Sequence, residues 1–132
     1  MIPQEHEIVV MKDAAAWRAW LNANEDTATS VWVLLAKKNT TGPTTLTYHE
    51  GLEEALCSGW IDGQRCGWDD TAFAQRYTPR SPRSLWSRRN MGIATRLIGE
   101  GRMRPPGQAE IDQARATGRW TAPRPDEADT RA

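Results

Sequence analysis

Residues 31 to 36, Val-Trp-Val-Leu-Leu-Ala, form an unbroken apolar run that is too short for a typical helix and rich in β-forming side chains. Alternate residues of a strand point to opposite faces, so a strand with no polar position needs cover on both. The run therefore predicts a central strand, and any fold of this chain must place material above and below it.

The flanks supply that material. Ile8 to Met11 reads as a short strand, and Asp13 can cap a helix running to about Asn22 with Ala14, Trp17 and Leu21 along one face. Residues 24–30 and 37–45 carry turn and loop chemistry. Thr47-Tyr48-His49-Glu50 matches a capping box, and Leu52, Ala55, Leu56 and Gly59 form the buried stripe of the helix it opens. Trp60 to Arg65 reads either as a strand or as a tight hairpin around Asp62-Gly63, with Phe73 to Thr78 as a second strand. Pro79 and Pro82 stop regular structure. Ser84 is then the expected cap of a helix that turns Trp86, Ile93, Leu97 and Ile98 inward and ends near Gly101. Pro105-Pro106-Gly107 opens a last helix, with Ala109, Ile111 or Ala114 as its contacts, that ends near Gly118 and is anchored by Trp120. The expected fold class is α+β, a small mixed or antiparallel sheet packed against three or four helices. Residues 1–121 are expected to form a single domain and residues 122–132 a disordered tail without apolar payload.

Seven tryptophans against one phenylalanine and two tyrosines mean that aromatic packing rests on indoles. Charge is balanced overall, 17 basic against 17 acidic residues, but not along the chain. Between residues 76 and 104 stand eight arginines against one carboxylate, Glu100. Such a local excess suggests either a surface built for an anion or a set of ion pairs with Glu50, Glu53, Glu54, Asp69 and Asp70. No apolar run approaches the roughly 20 residues of a membrane helix, and the start lacks a signal-peptide layout, which points to the cytoplasm. Cys57 and Cys66 lie outside any CxxC pattern and read as reduced thiols. Two histidines and two cysteines in unrelated contexts give no zinc spacing, and nucleotide and serine-hydrolase motifs are missing. No metal and no cofactor are expected.

The strongest candidate site is the start of the Ser84 helix, where free N–H groups and the helix dipole favour an anion and Arg80, Arg83 and Ser87 can converge. Arg88 and Arg89 read as solvent-facing charge. Asp62 is the acid or base candidate, because a carboxylate beside Trp60 and Ile61 near a core strand loses solvation; in an Asp-Gly turn its role would be conformational instead. In a continuous strand Trp60, Asp62 and Gln64 would share a pocket-like face. Tyr48 can donate a hydrogen bond or pack with a wet tip, beside an exposed His49. Trp86 can stack on a ligand or fill the core, with Asn90 on the same helix face.

The ordered motifs Trp20-Leu21, Val31-Trp32, Leu46-Thr47-Tyr48, Glu54-Ala55-Leu56-Cys57, Gly59-Trp60-Ile61-Asp62-Gly63, Arg76-Tyr77-Thr78-Pro79-Arg80, Ser84-Leu85-Trp86-Ser87 and Asn90 resemble the YdeI/OmpD-associated family. The likeness continues to Gly118-Arg119-Trp120 and spans about residues 10 to 121. It implies a small bacterial protein and places the family motif on Trp60, Asp62, Arg76, Arg80, Ser84, Trp86, Ser87 and Asn90. The family is labelled by association with bacteriocin protection and an outer-membrane protein, without a common reaction. Ser58, at a commonly aromatic position, and Leu85, at a commonly polar or β-branched one, depart from the pattern.

Together these readings lead to a pocket for a small anionic or polar metabolite or antibiotic-like compound. If there is turnover, it is of lyase, isomerase or hydrolase type without a cofactor: Asp62 moves a proton, Arg80 stabilises negative charge, and Tyr48 or Asn90 orients the substrate. The alternatives are nucleic-acid binding, with Trp86 stacked on a base, and a protective protein that acts by binding a partner.

Overall fold

The computed structural model describes residues 7–40 and 42–120; the expected tail, 122–132, lies outside them. The apolar run folds as the interior strand β2 (Val31–Ala36), and all six of its residues are buried. The short β1 (Ile8–Val9) pairs with it in parallel, and β4 (Ala72–Pro79) pairs antiparallel on its other side. The edge strand β3 (Trp60–Gly67) completes a mixed sheet of order β1-β2-β4-β3. Among the described residues four helices accompany the sheet: α1 (Ala14–Asn24), α2 (Tyr48–Cys57), α3 (Arg88–Gly99) and α4 (Pro105–Ala116). The fold is therefore α+β.

Local chemistry starts these elements where the sequence places the caps. Asp13 accepts the Ala16 N–H at 2.9 Å to open α1, and Thr47 and Glu50 exchange hydrogen bonds at the head of α2. α1 runs two residues beyond the expected Asn22.

Core packing divides around α2. On its sheet side Trp17, Leu21, Val33, Leu35, Trp60 and Tyr77 cluster, with the Trp17 and Tyr77 rings 4.9 Å apart. The Trp17 indole N–H donates to the Gly51 carbonyl at 3.0 Å. On its other side Leu52 and Leu56 meet Trp86, Ala94, Leu97 and Ile111 of the 86–114 region. Trp32, Leu34, Ala72 and Ala74 form a third cluster on the opposite sheet face. Indoles take part in all three, as the composition requires.

Two glycines let α2 approach its neighbours. A Cβ on Gly51 would overlap the Tyr77 hydroxyl, and one on Gly107 would meet the carbonyls of Cys57 and Leu56 at 2.5 and 2.6 Å. Gly59 does not belong to the α2 stripe: it lies past the helix end at φ +77°, a conformation glycine adopts without strain.

Two further expectations change. Asp62-Gly63 is no hairpin turn but part of β3, and the chain reverses at 68–71, where the Asp69 carboxylate accepts from the Thr71 N–H and hydroxyl and from the Ala72 N–H. Those bonds, the Thr71 N–H first, hold the Asp69 carboxyl below its usual range. The cap of α3 is Ser87, which accepts the Asn90 N–H at 3.0 Å; Ser84 belongs to the preceding turn, with its N–H on the Ser81 carbonyl. Trp86, just ahead of the helix, is committed to the core, 2% exposed, between Arg80 and Trp120.

Candidate functional site

Asp62 and Tyr48 come together. Asp62, on β3, accepts the Tyr48 hydroxyl from the first turn of α2 at 2.9 Å. Tyr77 stands opposite Asp62 in the ladder, with its hydroxyl buried and unpartnered. Burial, and next the Asp62 charge, raise the Tyr48 phenol above its ordinary value, so it stays protonated and acts as a donor. The same two causes raise Tyr77.

Two arginines that the sequence reading left out flank this pair. Arg89, expected to face solvent, lies half-buried at the start of α3; it donates to the Tyr48 oxygen at 3.5 Å, with its guanidinium 5.6 Å from the ring centroid. Arg65 lies 5.2 Å from the Tyr48 centroid and 4.4 Å from that of Phe73, so its planar group is held between rings. Strand alternation had put Gln64 on the face of Asp62. A bulge between Asp62 and Arg65 puts Arg65 there instead, a shift that residue types alone do not announce. Beside this cluster an open cavity of about 480 Å³ is lined by Ala36, Lys38, Thr47, Tyr48, His49, Arg65 and Phe73. His49 is exposed, as expected, and faces that space.

The other candidates lie elsewhere. Arg80, 7% exposed, stacks 4.1 Å from the Trp86 ring and donates to the Leu85 carbonyl at 3.2 Å, so it braces the 80–87 segment. Arg76 pairs with Trp32 on the strand face opposite to that of Tyr77 and Asp62. Trp60 is fully buried; its indole N–H donates to the Glu25 carbonyl at 3.3 Å. Arg83 is exposed and its carbonyl accepts from Arg119, while Ser84 and Ser87 serve the turn and the cap. The expected anion site at Ser84 therefore has no helix terminus. Asn90 keeps one buried side-chain oxygen unpartnered, but Trp86 precedes α3 and shares no helix face with it. A buried Trp86 is also out of reach of a base.

The acidic partners of the arginine-rich stretch are specific. Glu53 and Glu54 meet Arg96, Arg102 and Arg18, and Glu100 meets Arg96 and Arg102. Glu25, with its side chain 6% exposed, accepts from Arg104 at 3.1 and 2.5 Å and from the Ser58 hydroxyl at 2.7 Å. Burial pushes the Glu25 carboxyl up, but Arg104, Ser58 and Arg18 together hold it below its usual range. Cys57 is a buried free thiol pushed up to about 11 by burial and then by Glu54, which leaves it a poor nucleophile.

The model of a domain of unknown function, DUF8412, matches residues 9–110. The chain belongs to that family. The matched stretch of the DUF8412 domain runs from β1 into α4 and includes Tyr48, Asp62, Arg65 and Arg89. No curated protein and no solved structure matches the chain. Among the described residues of this DUF8412 domain no three His, Cys, Asp or Glu side chains group as a metal site, and no helix is long and apolar enough to cross a membrane.

Proposed function

We propose that this DUF8412 domain binds a small anionic or polar molecule, of metabolite or antibiotic-like size, in the cavity beside Tyr48 and Asp62. The observation that carries the reading is the Tyr48 hydroxyl donated to Asp62 at 2.9 Å beside a cavity whose lining includes Lys38, His49 and Arg65. A cavity of a few hundred Å³ with apolar walls and a few convergent polar groups is the usual form of a small-molecule site. The Arg65 fork, 4.4 Å over the Phe73 ring, suits a carboxylate or a phosphate group.

Turnover on this set needs no cofactor. Asp62 takes up or returns a proton, Tyr48 orients the substrate as its hydroxyl turns from Asp62 to the ligand, and Arg65 with Arg89 offsets developing negative charge, which fits lyase, isomerase or hydrolase chemistry. Arg65 and Arg89 thus take the role that the sequence reading gave to Arg80. Membership of the YdeI/OmpD-associated family, on the resemblance over about residues 10 to 121, and a cytoplasmic location are part of the same proposal. Nucleic acid is the weaker occupant, because Trp86, its stacking platform, lies in the core.

The test is a thermal-shift screen of small carboxylates, phosphate esters and antimicrobial compounds. A ligand at 100 times its Kd adds about 2.7 kcal/mol of stability. A compound that raises the melting temperature of the wild type and not that of Arg65→Met or Asp62→Asn supports the site. If no compound stabilises the wild type, the reading falls.

A further inference from the structure

Gln75 lies in the middle of β4 and is 1% exposed, yet its carboxamide is used almost wholly on the edge strand β3. Its Nε2 donates to the carbonyls of Gly63 at 2.9 Å and Gln64 at 3.0 Å, with Arg76 O further off at 3.4 Å. Its Oε1 accepts from Arg65 Nε at 3.4 Å. One side chain thus touches three consecutive residues of β3.

Those three residues are where β3 slips. Asp62 stands opposite Tyr77 and Arg65 opposite Gln75, so three steps on β3 answer two on β4. In an unbroken ladder Gln64 would stand opposite Gln75, and Arg65 opposite Ala74. Side chains alternate along a strand, so Arg65 would then point to the face of Ala74 and Trp32, away from Tyr48. A bulge removes backbone carbonyls from the regular ladder, and the Gln75 amide supplies the missing donor to both Gly63 and Gln64.

We infer that Gln75 is a positioning residue: it pins the β3 bulge that turns Arg65 onto the face shared by Asp62, Tyr48 and Phe73. The inference deepens the anion-binding reading and rests on it for ligand binding alone, because the placement of Arg65 can be read without any ligand.

The experiment compares four chains by NMR: wild type, Gln75→Met, a chain lacking Gly63, and the two changes combined. The signal is the set of nuclear Overhauser cross-peaks between the Arg65 side chain and the Tyr48 and Phe73 rings. Gln75→Met is expected to weaken these cross-peaks several-fold. Removing Gly63 leaves two steps between Asp62 and Arg65, so a regular ladder puts Arg65 opposite residue 75, and the cross-peaks should return in the combined variant. Unchanged cross-peaks in a folded Gln75→Met protein overturn the inference, and so does an equal weakening by Gln75→Met in the chains with and without Gly63. If Gln75→Met does not fold alone, the two chains lacking Gly63 decide: equal cross-peaks support the role, and their disappearance in the combined variant overturns it. Thermal shifts with benzoate and inorganic phosphate accompany each chain. Should neither probe stabilise any chain while the cross-peaks follow the expected pattern, the positioning role stands and the anion reading loses its support.

Discussion

Arg104 and Arg65 carry the same guanidinium in the same domain, but their surroundings differ. Arg104 meets the Glu25 carboxylate through two nitrogens, within a network where Arg18, Arg96, Arg102 and Arg104 meet Glu25, Glu53, Glu54 and Glu100. Arg65 meets two aromatic rings and an amide oxygen, and Asp62 accepts its hydrogen bond from Tyr48 rather than from an arginine. Matched charges tie α1, α2, α3 and the approach to α4 to one another, a structural use. Arg65 and Lys38 border the cavity beside Tyr48 and meet no carboxylate among the described residues, which is what the proposed anion-binding role requires.

The comparison can be broken at several points, and the largest effect lies under the network. Gly107→Ala drives a methyl group into the Cys57 and Leu56 carbonyls and is expected to cost about 3 kcal/mol in a denaturant titration. A cost below about 1 kcal/mol would show that α4 is not tightly seated on α2.

Next comes Glu25→Gln, expected to cost about 2 kcal/mol, less than a fully buried pair because Arg104 is a third exposed. The Glu25 carboxyl is held below its ordinary value of 4.5, so its stabilisation is complete above pH 4.5 and is lost as pH falls below it toward the folded value. Melting temperatures across pH 3 to 7 should therefore show a shallower acid limb for Glu25→Gln. Parallel limbs would remove Glu25 from the stabilising side of the comparison.

On the site side the order of effects reverses. Tyr48→Phe removes two partly buried hydrogen bonds, the one to Asp62 and the long one from Arg89, and is expected to cost about 1 kcal/mol, while abolishing the thermal shift from any compound that the wild type binds. Arg89→Met should cost about 0.5 kcal/mol or less, because its bond to Tyr48 is long, yet weaken binding several-fold. A ligand response that survives both changes would move the site away from Tyr48.

How far the sequence reaches differs between these two regions as well. Asp62 and Tyr48 were legible, as a carboxylate beside a core strand and a tyrosine in a capped first turn. Arg89 was not, since position N2 of a helix says nothing of the neighbour its side chain will find. Arg65 was hidden more deeply: a period of two assigns it the wrong face, and the correction comes from a glutamine in another strand. The arginine-rich 76–90 segment turned out to be divided, with Arg80 a brace for Trp86 and only Arg89 beside Tyr48.

By itself the sequence determined the buried strand β2, the caps at Asp13 and Thr47, and an α+β arrangement, because apolar periodicity and capping act over a few neighbouring residues. Only the tertiary structure decided which arginines are matched by carboxylates and that Arg65 borders the cavity beside Tyr48. Ion pairs and strand register are settled between residues far apart in the chain, such as Arg104 with Glu25 and Gln75 with Gly63, and local pattern carries no record of those meetings.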